Sequence, residues 1–303
     1  MKTKPVSFKV TARSLGGTVA AILLGAAALP SATQAQSLPA PLLHYTFDDG
    51  GANSGTLADA NLTTTGVGSF GGPGTGVTGQ SWDHAFVNAN GGMGASNTPY
   101  NGSARANSAD LPELSSFTIT GWFKTPPSIQ LSSSAALFRT SDGSIVLKAD
   151  LQTAGTMTLT VNGKTSERSA LDDGDVASLY RQTDTWVFFA VTWDGSSVQF
   201  YDGSTTIAVT TLSSARPLSA TAVNPSAGFL LGNNGEPISA NARPFAGSLD
   251  NIRLYSDVLT LSQIEAIRTG DLLGPTIPEP ASSALLLGLG CALWAGTRRV
   301  RDR

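Results

Sequence analysis

The sequence predicts an all-β fold, a sandwich or a barrel of many short strands, followed by one short α-helix near the C-terminal end of the body. Three observations predict it. Short apolar runs with period-two alternation recur along the chain. Asx-Gly pairs, which supply the positive φ of tight hairpin turns, fall between them. A single stretch carries helical spacing together with a cap.

Residues 1–35 read as a removable signal peptide. Lys2, Lys4, Lys9 and Arg13 form a basic start, and an apolar run from Leu15 to Leu29 follows. Pro30 breaks that run, and small residues lead to Thr33-Gln34-Ala35, with cleavage expected after Ala35. A retained membrane anchor is the alternative; the run is short and rich in Gly and Ala, which favours removal.

The strands follow in order. Leu42-Leu43-His44-Tyr45-Thr46-Phe47 is the first. Phe117-Thr118-Ile119-Thr120-Gly121-Trp122-Phe123 alternates as a half-buried strand should. Ser144–Lys148 and Met157–Val161 come next. Trp186–Trp193 is apolar on both faces, as in a central strand, and Val198–Tyr201, Ile207–Thr211, Gly228–Leu231 and Ser248–Tyr255 complete the series. Asp142-Gly143, Asn162-Gly163, Asp194-Gly195 and Asp202-Gly203 are the expected turns. Residues 50–79 hold ten glycines and few apolar residues, so they are expected to be long surface loops.

Leu259–Ile267 is the helix. Thr260 is its N-cap, Gln263 completes a capping box, and Leu259 with Ile264 forms a staple. Leu261, Ile264 and Ile267 make an apolar stripe, and Gly270 is expected to end it. The sandwich is thus placed at residues 36–272, with a linker and tail over 273–303. About 240 residues are ample for one large core and short for two domains.

The tail reads Pro278-Glu279-Pro280, then an uncharged apolar run over 281–297, then Arg298-Arg299-Val300-Arg301-Asp302-Arg303. As a helix, ~17 residues at ~1.5 Å each just cross a bilayer core, and the arginines fix that end in the cytoplasm. This arrangement resembles the PEP-CTERM sorting signal of exported proteins. The resemblance implies an exosortase-type sorting protease as partner, transient anchoring in the inner membrane, cleavage near Pro278, Glu279 and Pro280, and delivery to the cell surface or extracellular matrix. A plain tail anchor is the alternative.

Three segments carry a second resemblance: Leu114–Lys124, Trp186–Gly195, and Phe245-Ala246-Gly247-Ser248-Leu249-Asp250-Asn251-Ile252-Arg253-Leu254-Tyr255 with its trailing helix. Together they resemble the laminin-G-like/concanavalin A-like jelly roll across most of residues 40–270, and the resemblance implies two antiparallel sheets packed face to face as a sandwich. The family implies a lectin, an adhesion module or a glycosidase, and the fold alone does not choose among them.

Charge narrows the partners. Between residues 36 and 280 stand 11 Lys and Arg against 21 Asp and Glu, a net charge of −10. Such a body repels phosphate backbones, which argues against nucleic acid. Cys291 is the only cysteine, so no intramolecular disulfide forms, and His44 and His84 are too few for a histidine-rich metal site.

For catalysis, β-glucanases of the superfamily resemble one another in a strand bearing Glu-x-Asp-x-x-Glu, whose carboxylates serve retaining hydrolysis. No such strand occurs here, nor Gly-x-Ser-x-Gly, His-Glu-x-x-His or a phosphate-binding glycine loop. A non-catalytic surface or matrix module that binds extracellular polysaccharide is the favoured reading; a divergent polysaccharide-degrading hydrolase is the alternative. Asp172-Asp173-Gly174-Asp175 lacks the EF-hand pattern and reads as a charged turn.

Two residues remain as candidates. Trp122 falls on the face opposite Phe117, Ile119 and Phe123, where it serves either as a stacking platform for a sugar or as packing on a second face; Trp82 and Trp186 read as core. Asp250 shares its strand face with Ile252 and Leu254 by alternation, so it needs a cation or several donors there. The family resemblance implies a structural Ca²⁺ at this position, held with Asp48 and Asp49 after the first strand; capping by backbone N–H groups is the alternative.

Overall fold

The structure is a computed structural model, and it describes residues 37–65, 69–71, 74, 76–84, 103–107, 109–125, 135–150, 156–168, 179–226, 228–233, 245 and 247–274. The chain divides into Met1–Ser37 and Leu38–Arg303, and the fold is that of the second unit. The expected signal peptide over 1–35, the stretch Asp172–Asp175, the expected sorting residues Pro278, Glu279, Pro280, Arg298 and Arg299, and the apolar run over 281–297 lie outside the described residues.

Fifteen strands and one α-helix are described: β1 (Leu43–Tyr45), β2 (Thr63–Thr65), β3 (Ser69–Phe70), β4 (Trp82–His84), β5 (Ser103–Ala106), β6 (Phe117–Lys124), β7 (Ala135–Thr140), β8 (Ile145–Asp150), β9 (Thr156–Val161), β10 (Lys164–Arg168), β11 (Val187–Trp193), β12 (Ser197–Ser204), β13 (Thr210–Pro217), β14 (Phe229–Leu231), β15 (Gly247–Tyr255) and α1 (Leu261–Leu273). One sheet runs β13-β12-β11-β6-β15-β4-β3, and the other β10-β9-β8-β7-β14-β5-β2. Among the described residues every strand pairing in both sheets is antiparallel. β15 is flanked by β6 on one side; on the other, β4 pairs with its first residues and β1 with Ile252–Leu254.

The sandwich interior is aromatic and aliphatic, because alternate residues of both sheets point into it. From β6 come Phe117, Ile119 and Phe123; from β11, Val187, Phe189, Val191 and Trp193; from β8 and β9, Ile145, Leu147, Met157 and Leu159. Gly121 is required where the sequence places it: a Cβ there would collide with Ile252 Cδ1 and press on the Phe189 ring. β11 lies between β6 and β12 and is buried along its length, which is why its sequence is apolar on both faces.

A second cluster covers the outer face of the first sheet. α1 lies over Trp122, Phe188, Ala190, Tyr201 and Tyr255, contributing Ile264 and Ile267 with Leu259 before it. The capping box and the staple residues are present: Gln263 N donates to Thr260 Oγ1 and Thr260 N donates to Gln263 Oε1 at 2.9 Å. Gly270 does not end the helix, which runs on to Leu273 and is capped by Gly274 at φ 68°. A glycine inside a helix costs only about 1 kcal/mol relative to alanine, and the next residue, Asp271, is anchored in the protein. Leu261 is not on the buried stripe; it is 43% exposed, and the covered face consists of Ile264, Ile267, Arg268 and Asp271.

Three further expectations are corrected. Residues 50–79 are not loop throughout, since β2 and β3 lie within them as edge strands. Asp202-Gly203 is not a turn; both residues pair inside β12, with Phe189 and Phe188, and the reversal follows at Ser204, whose N–H donates to Ile207 O. Gly203 is there because a Cβ would stand 3.0 Å from Arg268 Cδ, under α1. Ile207 belongs to that reversal, and β13 starts only at Thr210.

Candidate functional site

The chemistry-bearing side chains gather where β15, the turn over residues 76–80 and the last turns of α1 meet. The cause is a β-bulge. Asp250 pairs with Trp122, yet Arg253 pairs with Thr120, so β15 spends one more residue than β6 over that interval. Asn251 absorbs the excess with φ 49°, a left-handed conformation that Asn tolerates better than most residues. The strand's alternation is reset there. Leu249, Ile252 and Leu254 face the core, while Asp250, Arg253 and Tyr255 face outward toward α1. Asp250 therefore does not share a face with Ile252 and Leu254, as simple alternation predicted.

Asp250 is nonetheless fully buried. Val77 N donates to its Oδ2 and Asn251 N to its Oδ1, both at 2.7 Å, and Asn251 Nδ2 approaches Oδ1 at 3.3 Å. Burial pushes its pKa up to about 8, and the negative charges of Asp271 and Asp48 add to that; the Val77 and Asn251 amides oppose it.

Asp48 reaches the same turn from the exit of β1: its Oδ1 accepts from Gln80 N at 2.8 Å. The turn is closed by Gly76 N donating to Gly79 O at 3.0 Å. Both glycines are needed for close approach, because a Cβ at Gly79 would collide with Asp48 Oδ1 and one at Gly76 with Gln80 O and Asp250 Oδ2. Two carboxylates thus converge on one glycine-bounded turn. Asp49 is exposed and is not among the charges acting on Asp250. No group of three or more His, Cys, Asp and Glu side chains suited to a metal occurs among the described residues.

Beside this turn lies a buried ion pair. Arg253 grips Asp271 with both terminal nitrogens, at 2.5 and 3.0 Å, and also donates to Asn251 O and Oδ1. Asp271 Oδ2 accepts in addition from Trp122 Nε1 at 2.8 Å, and Thr78 Oγ1 donates to Asp271 O. His44 completes the network with Nε2 3.4 Å from Asn251 Oδ1; burial, then the Arg253 charge, lowers its pKa to about 4.

Trp122 is accordingly not an accessible stacking platform. It lies on the outer face, as its spacing predicted, but α1 covers it completely and Phe188 packs edge-on against it at 5.2 Å. Trp82 is core, whereas Trp186 is only half-buried, at the margin of α1's cover. Sequence reasoning missed Arg253 and Asp271; their only signal is the oddity of two charges on strand and helix faces that periodicity makes internal.

The sequence model of the Laminin_G_3 family, described as the concanavalin A-like lectin/glucanases superfamily, matches residues 97–265, more than half of the chain. No curated protein matches. Among solved structures, domain 4 of AbnA, a GH43 extracellular arabinanase from Geobacillus stearothermophilus in complex with arabinotriose, is similar at 17% identity and TM-score 0.47, over 76% of this chain and 98% of that one. The binding domain of botulinum neurotoxin serotype G is similar at 13% identity and TM-score 0.49, over 76% of this chain and 50% of that one. The heptameric SAP-like pentraxin from Limulus polyphemus follows at 14% identity and TM-score 0.37, over 52% of this chain and 72% of that one.

Proposed function

The chain belongs to the concanavalin A-like lectin/glucanases superfamily, and from that premise we propose that it is a non-catalytic, carbohydrate-binding module of an exported surface or extracellular-matrix protein. The superfamily offers two readings, lectin and glucanase, and carboxylates discriminate between them. A retaining glycosidase needs two carboxyl groups roughly 5–5.5 Å apart and open to the sugar between them. The observation that carries the non-catalytic reading is the commitment of the buried carboxylates to the fold. Asp202 accepts from Leu179 N and Thr210 Oγ1, Asp250 from Val77 N and Asn251 N, and Asp271 from Arg253 and Trp122. The more exposed Asp142, Asp194 and Glu265 are held by turn amides, hydroxyls or Arg268.

The chain's two ends support export. The signal peptide over 1–35 takes it across the inner membrane, and the tail from Pro278 to the terminal arginines presents it to an exosortase-type protease. Among the described residues no helix is long and apolar enough to cross a membrane, and the run over 281–297 lies outside them.

A structural Ca²⁺ at the junction beside β15 belongs to the same proposal. Asp48 and Asp250, whose carboxylates meet the same turn, would supply hard oxygens, and Ca²⁺ accepts oxygen ligands without strict geometry. A cation there also offsets the cost of a buried carboxylate. Asp49 is left out of the set.

Purified protein screened against soluble polysaccharides, scoring retention and reducing-sugar release together, tests the reading. Retention without turnover is expected. Turnover above a denatured control, abolished by replacing one Asp or Glu, would replace this reading with that of a divergent glycoside hydrolase.

A further inference from the structure

Among the described residues Trp82, Trp122 and Trp193 are fully buried, and Trp186 is half-buried. It stands immediately before β11 on the outer face of the first sheet, since Val187 packs in the core and Phe188 under α1. Extending the register from Val187 and Phe123 sets Trp186 beside Lys124, whose Nζ lies 5.7 Å from the centre of the indole. Lys124 pairs in turn with Ser248, Ser248 with Asp83, and Asp83 with Ser69. The neighbours Phe123, Leu249 and Trp82 all face the core, so Lys124, Ser248 and Asp83 face outward with Trp186. These four side chains are half-buried and Ser69 is exposed. α1 covers the next row inward, that of Trp122 and Phe188. From Trp186 to Asp83 are three inter-strand steps, about 14 Å at ~4.8 Å each.

The geometry points to this row, Trp186-Lys124-Ser248-Asp83, as the binding strip for a neutral polysaccharide chain; the assignment rests on the carbohydrate-binding reading above. Indole surface receives the apolar C–H face of a sugar ring. The Lys124 ammonium donates, the Ser248 hydroxyl does both, and the Asp83 carboxylate accepts, keeping lone pairs beyond the one used by Ser81 Oγ. Sugar hydroxyls also both donate and accept, so a row that changes from donor to acceptor matches a chain of them. A polyanion fits less well, because Asp83 and the net charge of −10 over residues 36–280 repel it. The row is held by paired strands, so it is ordered before a ligand arrives.

The test is retention of the full chain in affinity gels containing neutral polymers (β-glucan, xylan, arabinan) or an acidic one (polygalacturonate). Wild type is expected to be retained by a neutral polymer and to pass freely through polygalacturonate. Trp186→Ala and Lys124→Ala should each weaken retention about tenfold or more, ~1.4 kcal/mol. Asp83→Ala and Ser248→Val should weaken it too, and they leave the α1 packing untouched should Trp186→Ala fail to fold. Retention of wild type with all four variants unchanged would overturn this strip while leaving carbohydrate binding in place. Retention by polygalacturonate alone would overturn the neutral class. Retention by no polymer would overturn the strip and the carbohydrate-binding reading together.

Discussion

Asp250 and Ile252 lie two residues apart on β15 and on opposite faces of the sheet. The left-handed Asn251 between them supplies the half-turn that a regular strand would not. It delivers a carboxylate to the turn over residues 76–80 and a guanidinium, Arg253, to the last turns of α1. One backbone irregularity thereby joins the first strand, the glycine-bounded turn and the helix.

The Arg253–Asp271 pair should behave as a buried unit. Asp271→Ala strands the guanidinium and leaves Trp122 Nε1 without its acceptor, and it should cost about 3–5 kcal/mol. Replacing both partners by leucine should cost much less than the sum of the single changes. Urea unfolding of the two singles and the double measures this; additive losses would mean the pair is not coupled.

Calcium should raise the melting temperature. A ligand that binds only the native state stabilises it by ~2.7 kcal/mol at a hundredfold excess over its dissociation constant. Melting should occur at a lower temperature in EDTA and recover with Ca²⁺ more than with Mg²⁺, and Asp250→Ala should lower stability and erase that response. Identical melting of wild type in EDTA and in millimolar Ca²⁺ removes the ion and leaves Asp250 as a carboxyl capped by Val77 and Asn251.

His44 should set part of the acid limit. Its folded pKa is lowered from 6.5 to about 4 by burial and by Arg253, so between those values the unfolded chain binds the extra proton. Stability from this group is complete above pH 6.5 and is lost as pH falls toward 4. His44→Asn should flatten the slope of unfolding free energy against pH by up to one proton in that window. An unchanged slope would show that other groups carry the acid sensitivity.

Sorting should remove the tail. The Pro278-Glu279-Pro280 motif, apolar run and arginines are expected to act as one signal, so intact mass of protein recovered from the surface should lack the residues after about Pro280. Finding residues 281–303 still attached would reduce the tail to a simple anchor.

The sequence by itself determined what is local. Short apolar runs located β6, β8, β9, β11 and β15 closely, because burial on a sheet selects such runs locally, with alternation evident in β6, where the strand's own pleat imposes it. Asn162-Gly163 marked its hairpin, with both residues at positive φ, and Thr260 with Gln263 marked the start of α1, because a cap is made by residues three apart. β2, β3, β4, β5, β7 and β10 escaped notice; β2, β3, β4 and β5 are two to four residues long and are held by their partners rather than by their own pattern. Only the tertiary structure decided the face of Asp250 and the fate of Trp122. A bulge leaves no trace in hydrophobic alternation, and the helix that buries Trp122 begins well over a hundred residues later in the chain. The same cluster covers Trp186 only in part, and that long-range margin, rather than any motif around it, leaves Trp186 half-buried among the described residues.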